Sequence, residues 1–137
     1  MNILIIDGQG GGMGRQLTES IKKAFPTVII TAVGTNALAT QAMLKAGADY
    51  AATGENAVVV GWRTADVIMG PLGIVIADSL WGEITPAMAV AVGQSQAVRI
   101  LLPVNQCNNL IAGMEDISIG KLMQSSLDKI RRLMEQK

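Results

Sequence analysis

Ile3-Leu4-Ile5-Ile6-Asp7-Gly8-Gln9-Gly10-Gly11-Gly12-Met13-Gly14-Arg15 is the stretch on which the fold turns. An apolar run dominated by β-branched residues passes without alternation into a cluster of glycines. Such a run suits a strand buried on both faces, as in a parallel sheet. Beyond it Met13, Leu17, Ile21 and Ala24 recur at helical spacing, and Pro26 closes that helix. Glycine loses more backbone freedom on folding than any other residue. A cluster of it at a strand-to-helix junction implies that something approaches the main chain closely.

Working outward, Val28 to Val33 reads as a second buried strand. Asn36 is placed to cap a helix from Ala37 to Ala46, with Gly47 as its stop and a short strand from Ala48 to Ala52 after it. Residues 56–60 suit either a strand or a helix; a short helix ending near Trp62, with Thr53 as cap, is chosen. Asp66 to Met69 reads as a strand, and Gly70-Pro71 as a turn with proline at the first helical position. Ile74 to Leu80 either continues that helix or forms another strand. Thr85-Pro86 repeats the cap-then-proline signal and opens a helix to about Gly93. Val98 to Leu102 is a strand stopped by Pro103, and Leu110 to Ala112 a short edge strand. Ile119, Leu122, Met123, Leu127, Ile130, Leu133 and Met134 form the stripe of a last helix. Lys129, Arg131, Arg132 and Lys137 crowd its end, where cations complement the helix dipole. The alternation predicts an α/β fold: a doubly wound, mostly parallel sheet with helices on both faces, Rossmann-like, in one domain over residues 1–137.

Composition narrows the classes. Half of the 137 residues are apolar and 16% are charged, against about 25% in ordinary soluble domains. So little polar cover points to a self-association surface, and a homo-oligomer is expected. Eleven basic and eleven acidic residues cancel, leaving no overall field to draw the protein to nucleic acid or an anionic membrane. Cys107 is the lone cysteine and the chain has no histidine. That excludes an intrachain disulfide, Cys-His pairs, Ser-His-Asp triads and His-based zinc sites. No basic leader precedes the first apolar run. The longest nearly uncharged stretch, Val67 to Ala77, falls far short of the roughly 20 residues that span a bilayer. The expectation is a cytoplasmic protein with no membrane or nucleic-acid partner.

In doubly wound sheets ligands bind beyond the carboxyl ends of the strands. That rule selects the loop Gly8, Gln9, Gly10, Gly11, Gly12, Met13, Gly14 and Arg15, whose amides open a helix and can receive an anion. Arg15 would add charge. Asp7 either holds Mg²⁺ or accepts N–H bonds within the loop, the second being favoured; no metal site is assigned. Asn36 would either bond a ribose or cap its helix. Asn105, Gln106, Cys107, Asn108 and Asn109 lie on the same rim, and Asn105 and Asn108 are candidate polar contacts. Cys107 is a weak candidate nucleophile. Asp78 and Glu83 more readily end one helix and start the next than act as an acid–base pair. No catalytic set is recognisable.

The loop resembles the dinucleotide-binding fingerprint. Gly10-x-Gly12-Met13-Gly14 is similar to the Gly-x-Gly-x-Met-Gly loops of the 6-phosphogluconate and β-hydroxyacid dehydrogenases, which bind NAD(P). The spacing departs from the standard one, since the third glycine would fall at Met13. The acidic residue usual after the second strand is replaced by Gly34-Thr35-Asn36. Arg15-Gln16 likewise stands where a P-loop needs Lys followed by Ser or Thr. A second resemblance spans the chain. Ala46-Gly47-Ala48-Asp49, Gly70-Pro71-Leu72-Gly73, Gly82-Glu83-Ile84-Thr85-Pro86 and Leu102-Pro103-Val104-Asn105-Gln106-Cys107-Asn108, with the glycine loop, resemble a family of short bacterial proteins of unknown function. It implies a stand-alone Rossmann-like domain and no particular activity.

The leading expectation is a stand-alone protein that binds a nucleotide or small phosphorylated metabolite for sensing or regulation. Its cofactor is left open between NAD(P) and another nucleotide. The alternatives are a small NAD(P)-dependent oxidoreductase whose site is completed by oligomerisation, and a structural or interaction subunit.

Overall fold

A computed structural model describes residues 1–104 and 108–136. Its strands are β1 (Asn2–Asp7), β2 (Ile29–Gly34), β3 (Tyr50–Thr53), β4 (Val67–Pro71) and β5 (Val98–Leu102). They form one sheet in the order β3-β2-β1-β4-β5, and every neighbouring pair is parallel. The helices are α1 (Gly12–Ala24), α2 (Ala37–Lys45), α3 (Glu55–Gly61), α4 (Pro86–Gln94) and α5 (Ile119–Glu135). The fold is therefore the α/β doubly wound sheet that the alternation of patterns predicts.

Burial explains why β1 reads so plainly. Its side chains alternate between two cores: Ile3 and Ile5 pack with Leu17, Ile21, Met43, Leu122 and Ile130, from α1, α2 and α5. Leu4 and Ile6 pack with Val58, Ile74, Ile84, Met88 and Val92, from α3, α4 and the segment between β4 and α4. A strand covered on both faces has no polar side to show. Caps fall where the sequence places them: Asn36 Oδ1 accepts from Ala39 N at 2.9 Å, and Thr85 Oγ1 from Met88 N at 3.2 Å with Pro86 beside it. Among the described residues no helix is long and apolar enough to cross a membrane.

Four local expectations give way. The helix after β3 exists, but Gly54, at φ 101°, precedes it in place of a Thr53 cap; the Thr53 hydroxyl instead meets Thr40 Oγ1 at 2.7 Å. Gly70 and Pro71 belong to β4 and not to a turn. A Cβ on Gly70 would stand 2.3 Å from Ile6 O, so glycine here serves close strand approach. Ile74 to Leu80 is neither helix nor strand: a 3-10 turn over Leu72–Val75 gives way to turns in which Asp78 and Leu80 take φ of 66° and 55°. Leu110 to Ala112 likewise forms no strand. Gly113, at φ 79°, turns the chain there, and Met114 N donates back to Ile111 O.

Candidate functional site

The strand order sets the location. β1 leads to β2 and β3 on one side, whereas β4 and β5 lie on the other. The carboxyl ends of β1 and β4 thus flank the point where the winding reverses, the usual ligand crevice of such sheets. A cleft of about 300 Å³ opens there. Residues 7–13 line it, together with Gln16, Pro71 at the end of β4, Leu80, Val104 and Ile119.

The five glycines of the loop divide into two kinds. Gly8, Gly11 and Gly14 are buried, whereas Gly10 and Gly12 are exposed. A Cβ on Gly14 would meet Met43 Sδ at 2.4 Å, and one on Gly8 would meet Thr35 Oγ1 at 2.7 Å. Gly11 has a left-handed φ of 75°, and a Cβ there would stand 2.7 Å from Ala39 Cα. These three are required by packing or by backbone geometry. Gly10 and Gly12 have neither requirement: their φ is not left-handed, and a Cβ on either meets no described atom within 4 Å.

The amides divide in a parallel way. Asp7 accepts from Gly8 N at 2.8 Å and from Gly14 N at 2.7 Å, so it bonds within the loop, as favoured from sequence. Glu83 accepts from Gln9 N at 3.0 and 3.2 Å, from Thr35 Oγ1 at 2.6 Å and from Asn36 Nδ2 at 2.7 Å. Gly11 N donates to Gly8 O at 2.9 Å. The amides of Gly10 and Gly12 have no acceptor among the described residues. The donor set facing the cleft is thus smaller than the run from Gly8 to Gly14 suggests.

The two carboxylates are tuned in opposite directions. Burial pushes the Asp7 carboxyl up, against the pull of the Gly14, Gly8 and Met13 N–H groups, and nearby Glu83 adds to the rise. At Glu83 partial burial also pushes upward, but the bonds from Thr35, Gln9 and Asn36 together hold it below the usual glutamate range. Behind the loop the cleft thus has a carboxyl whose pKa is raised, and at its flank one whose pKa is lowered.

The structure brings Gly8, Gln9, Gly10, Gly11, Gly12 and Met13 to the cleft wall. Gly14 packs behind them against Met43. Arg15 turns away: its guanidinium lies 3.6 Å from Glu19, and it lines a separate groove with Leu38 and Lys45. Asn36 is occupied by its cap, by Glu83 and by a bond to Gln9 O at 2.9 Å. Asn108 is exposed, at φ 68°, and does not line the cleft. Asn105, Gln106 and Cys107 lie outside the described residues. Sequence reasoning weighed Glu83 only as a helix boundary or an acid–base partner of Asp78 and not as an anchor of the loop, its partner Gln9 being 74 positions away, and it missed the apolar wall of Leu80, Val104 and Ile119. No local pattern signals either. Among the described residues no group of three His, Cys, Asp or Glu side chains could hold a metal ion.

This chain belongs to the family described as "Domain of unknown function (DUF3842)", whose profile matches residues 2–135. No curated protein matches it. Among solved structures it is similar to a dodecameric FMN-dependent UbiX-like decarboxylase from Escherichia coli O157:H7, at 15% identity and a TM-score of 0.45. The alignment covers 94% of this chain and 75% of that one.

Proposed function

We propose that this protein binds a nucleotide or small phosphorylated metabolite in the cleft at the winding reversal, as a sensing or regulatory unit that self-associates. The anion would sit on the amides of Gly10 and Gly12 at the start of α1, where a partial positive charge gathers. One observation supports this above others: two exposed glycines that neither packing nor φ requires. Each costs about 0.5–1 kcal/mol relative to alanine in an ordered element. A ligand that must touch the main chain accounts for both. Leu80, Val104 and Ile119 offer an apolar wall to the remainder of the molecule. Of the candidate polar contacts, Asn36 serves the loop from behind by fixing Gln9 and Glu83.

Gly12→Ala is the discriminating variant. Its Cβ meets no described atom, so the unliganded protein keeps or slightly gains stability, by up to ~1 kcal/mol. Thermal shift and calorimetry against inorganic phosphate, adenine and flavin nucleotides, NAD(P) and sugar phosphates should find a stabilising ligand for the wild type. Gly12→Ala should bind it at least ~10-fold more weakly, a loss of about 1.4 kcal/mol. Failure of every phosphorylated compound to bind, or equal binding by the variant, refutes the reading.

A further inference from the structure

A second concavity lies elsewhere. A groove of about 470 Å³ runs along β5, the last strand of the sheet, between its free edge and the final turns of α5. Val98, Ile100 and Leu133 line it with Lys129 and Arg132 of α5, and Arg99 and Leu101 border it from the opposite face of β5, where the Arg99 guanidinium donates to Ser95 O at 2.8 Å. Among the described residues no carboxylate lines it, and none of the three cations joins a salt bridge. Arg131, the neighbouring cation, is held apart by Asp128 at 3.0 Å. Val98 N donates inward to Asp66 O, so by the alternation of the ladder the N–H and C=O groups of Arg99 and Leu101 face outward. Such an edge is a template for another strand.

The chain carries a segment of matching chemistry. Residues 110–118 have no regular structure, and Leu110 is 94% exposed, with Ile111 and Ile117 also exposed. Glu115 and Asp116 are exposed between Met114 and Ile117. If it extends as a strand, this segment puts one apolar and one acidic side chain on each face: Met114 with Asp116, and Glu115 with Ile117. The groove presents a like arrangement in the opposite sign. Val98 and Ile100 lie toward α5 with Lys129 and Arg132, while Arg99 and Leu101 lie on the other face.

We propose that residues 110–117 of one copy dock as an added strand on the β5 edge of a second copy, with Glu115 and Asp116 against Arg99, Lys129 and Arg132. A chain does not serve itself well in this way. Its own segment is tethered at Ser118, whose hydroxyl caps α5 by accepting from Lys121 N. The groove lies beside positions 129–136 of the same helix, which at 1.5 Å per residue is about 16 Å further along. Direct β5-to-β5 pairing is disfavoured too, because it would confront the same cationic rims. Donation of the segment is reciprocal in a twofold dimer and head-to-tail in a ring. This interface does not depend on what the cleft binds.

Sedimentation velocity over a concentration series provides the test. Wild type should associate, more weakly at high salt, whereas E115K/D116K and K129E/R132E should each sediment as monomers. A 1:1 mixture of the two variants should regain association, since each basic segment then faces an acidic groove and each acidic segment a basic one. Circular dichroism checks that both fold. E115Q/D116Q, which changes no shape, should weaken association at least ~10-fold. A monomeric wild type, assembly that survives either charge reversal, or a mixture that stays monomeric would overturn the proposal.

Discussion

Two of the segments that wall the cleft bend the chain in different ways. The loop after β1 relies mostly on glycine: Gly11 takes a left-handed φ of 75°, only Gln9 does so with a side chain present, at 51°, and Gly8 and Gly14 let Thr35 and Met43 close in. The connection from β4 to α4 makes its turns largely with side chains present, at Asp78, Leu80 and Trp81, with φ of 66°, 55° and 58°. Left-handed backbone costs a residue with a Cβ about 1–2 kcal/mol. What offsets it is a clasp: Asp78 N donates to Ile84 O, Ile84 N to Ser79 O and Glu83 N to Leu80 O. The clasp buries Leu80 to 5% exposure and leaves Trp81 at 94%. One segment gives up side chains to gain approach. The other accepts strain to aim Leu80 into the core and Glu83 at the loop.

The first segment should be the less forgiving at its buried glycines. Gly11→Ala combines a left-handed φ with a backbone clash against α2, and should cost about 3 kcal/mol in chemical denaturation. A loss below about 1 kcal/mol would mean that the loop can slide away from α2, and that the distinction from Gly12 is false.

Glu83 joins the two segments, so Glu83→Gln comes next, at about 1–2 kcal/mol near neutral pH. Its hydrogen bonds lower its pKa. The folded protein therefore gains from the ionised form above the ordinary value of 4.5 and loses that gain as pH falls through the lowered folded value. Melting curves from pH 3 to 7 should show this acid limb in the wild type and a flatter one in the variant. Asp7 runs the other way. Its contribution is present below the ordinary 3.8 and is lost as pH rises through the raised folded value. Asp7→Asn should remove that opposite trend.

The smallest effect belongs to the strained side. Trp81→Asn puts a residue tolerant of left-handed backbone at a position with almost no packing, and should stabilise by about 0.5 kcal/mol. A clear loss in guanidinium unfolding would show that the indole contributes contacts beyond those of the single chain.

What the sequence discloses follows from where each conformation is decided. β1 is readable because two cores demand an unbroken apolar run, and α5 because Leu122, Met123 and Ile130 face one core while its other side meets water. Asn36 and Thr85 announce their helices because capping is local. The segment from Leu72 to Ile84 is not readable, since distant burial and its own main-chain clasp overrule propensity. Nor can the sequence sort the glycines. Gly14 differs from Gly12 through Met43 and Asp7, and Gly11 from Gly10 through its left-handed φ and Ala39.

The grip of Glu83 on Gln9, Thr35 and Asn36 also bears on the order of folding. Those contacts span 74, 48 and 47 positions, so closing them carries a larger loop-closure entropy than the local turns do. During synthesis the glycine turn can form early, but its clamp is not available until the chain has emerged past β4. Amide exchange at Gln9 should then become protected late, in step with the second half of the sheet.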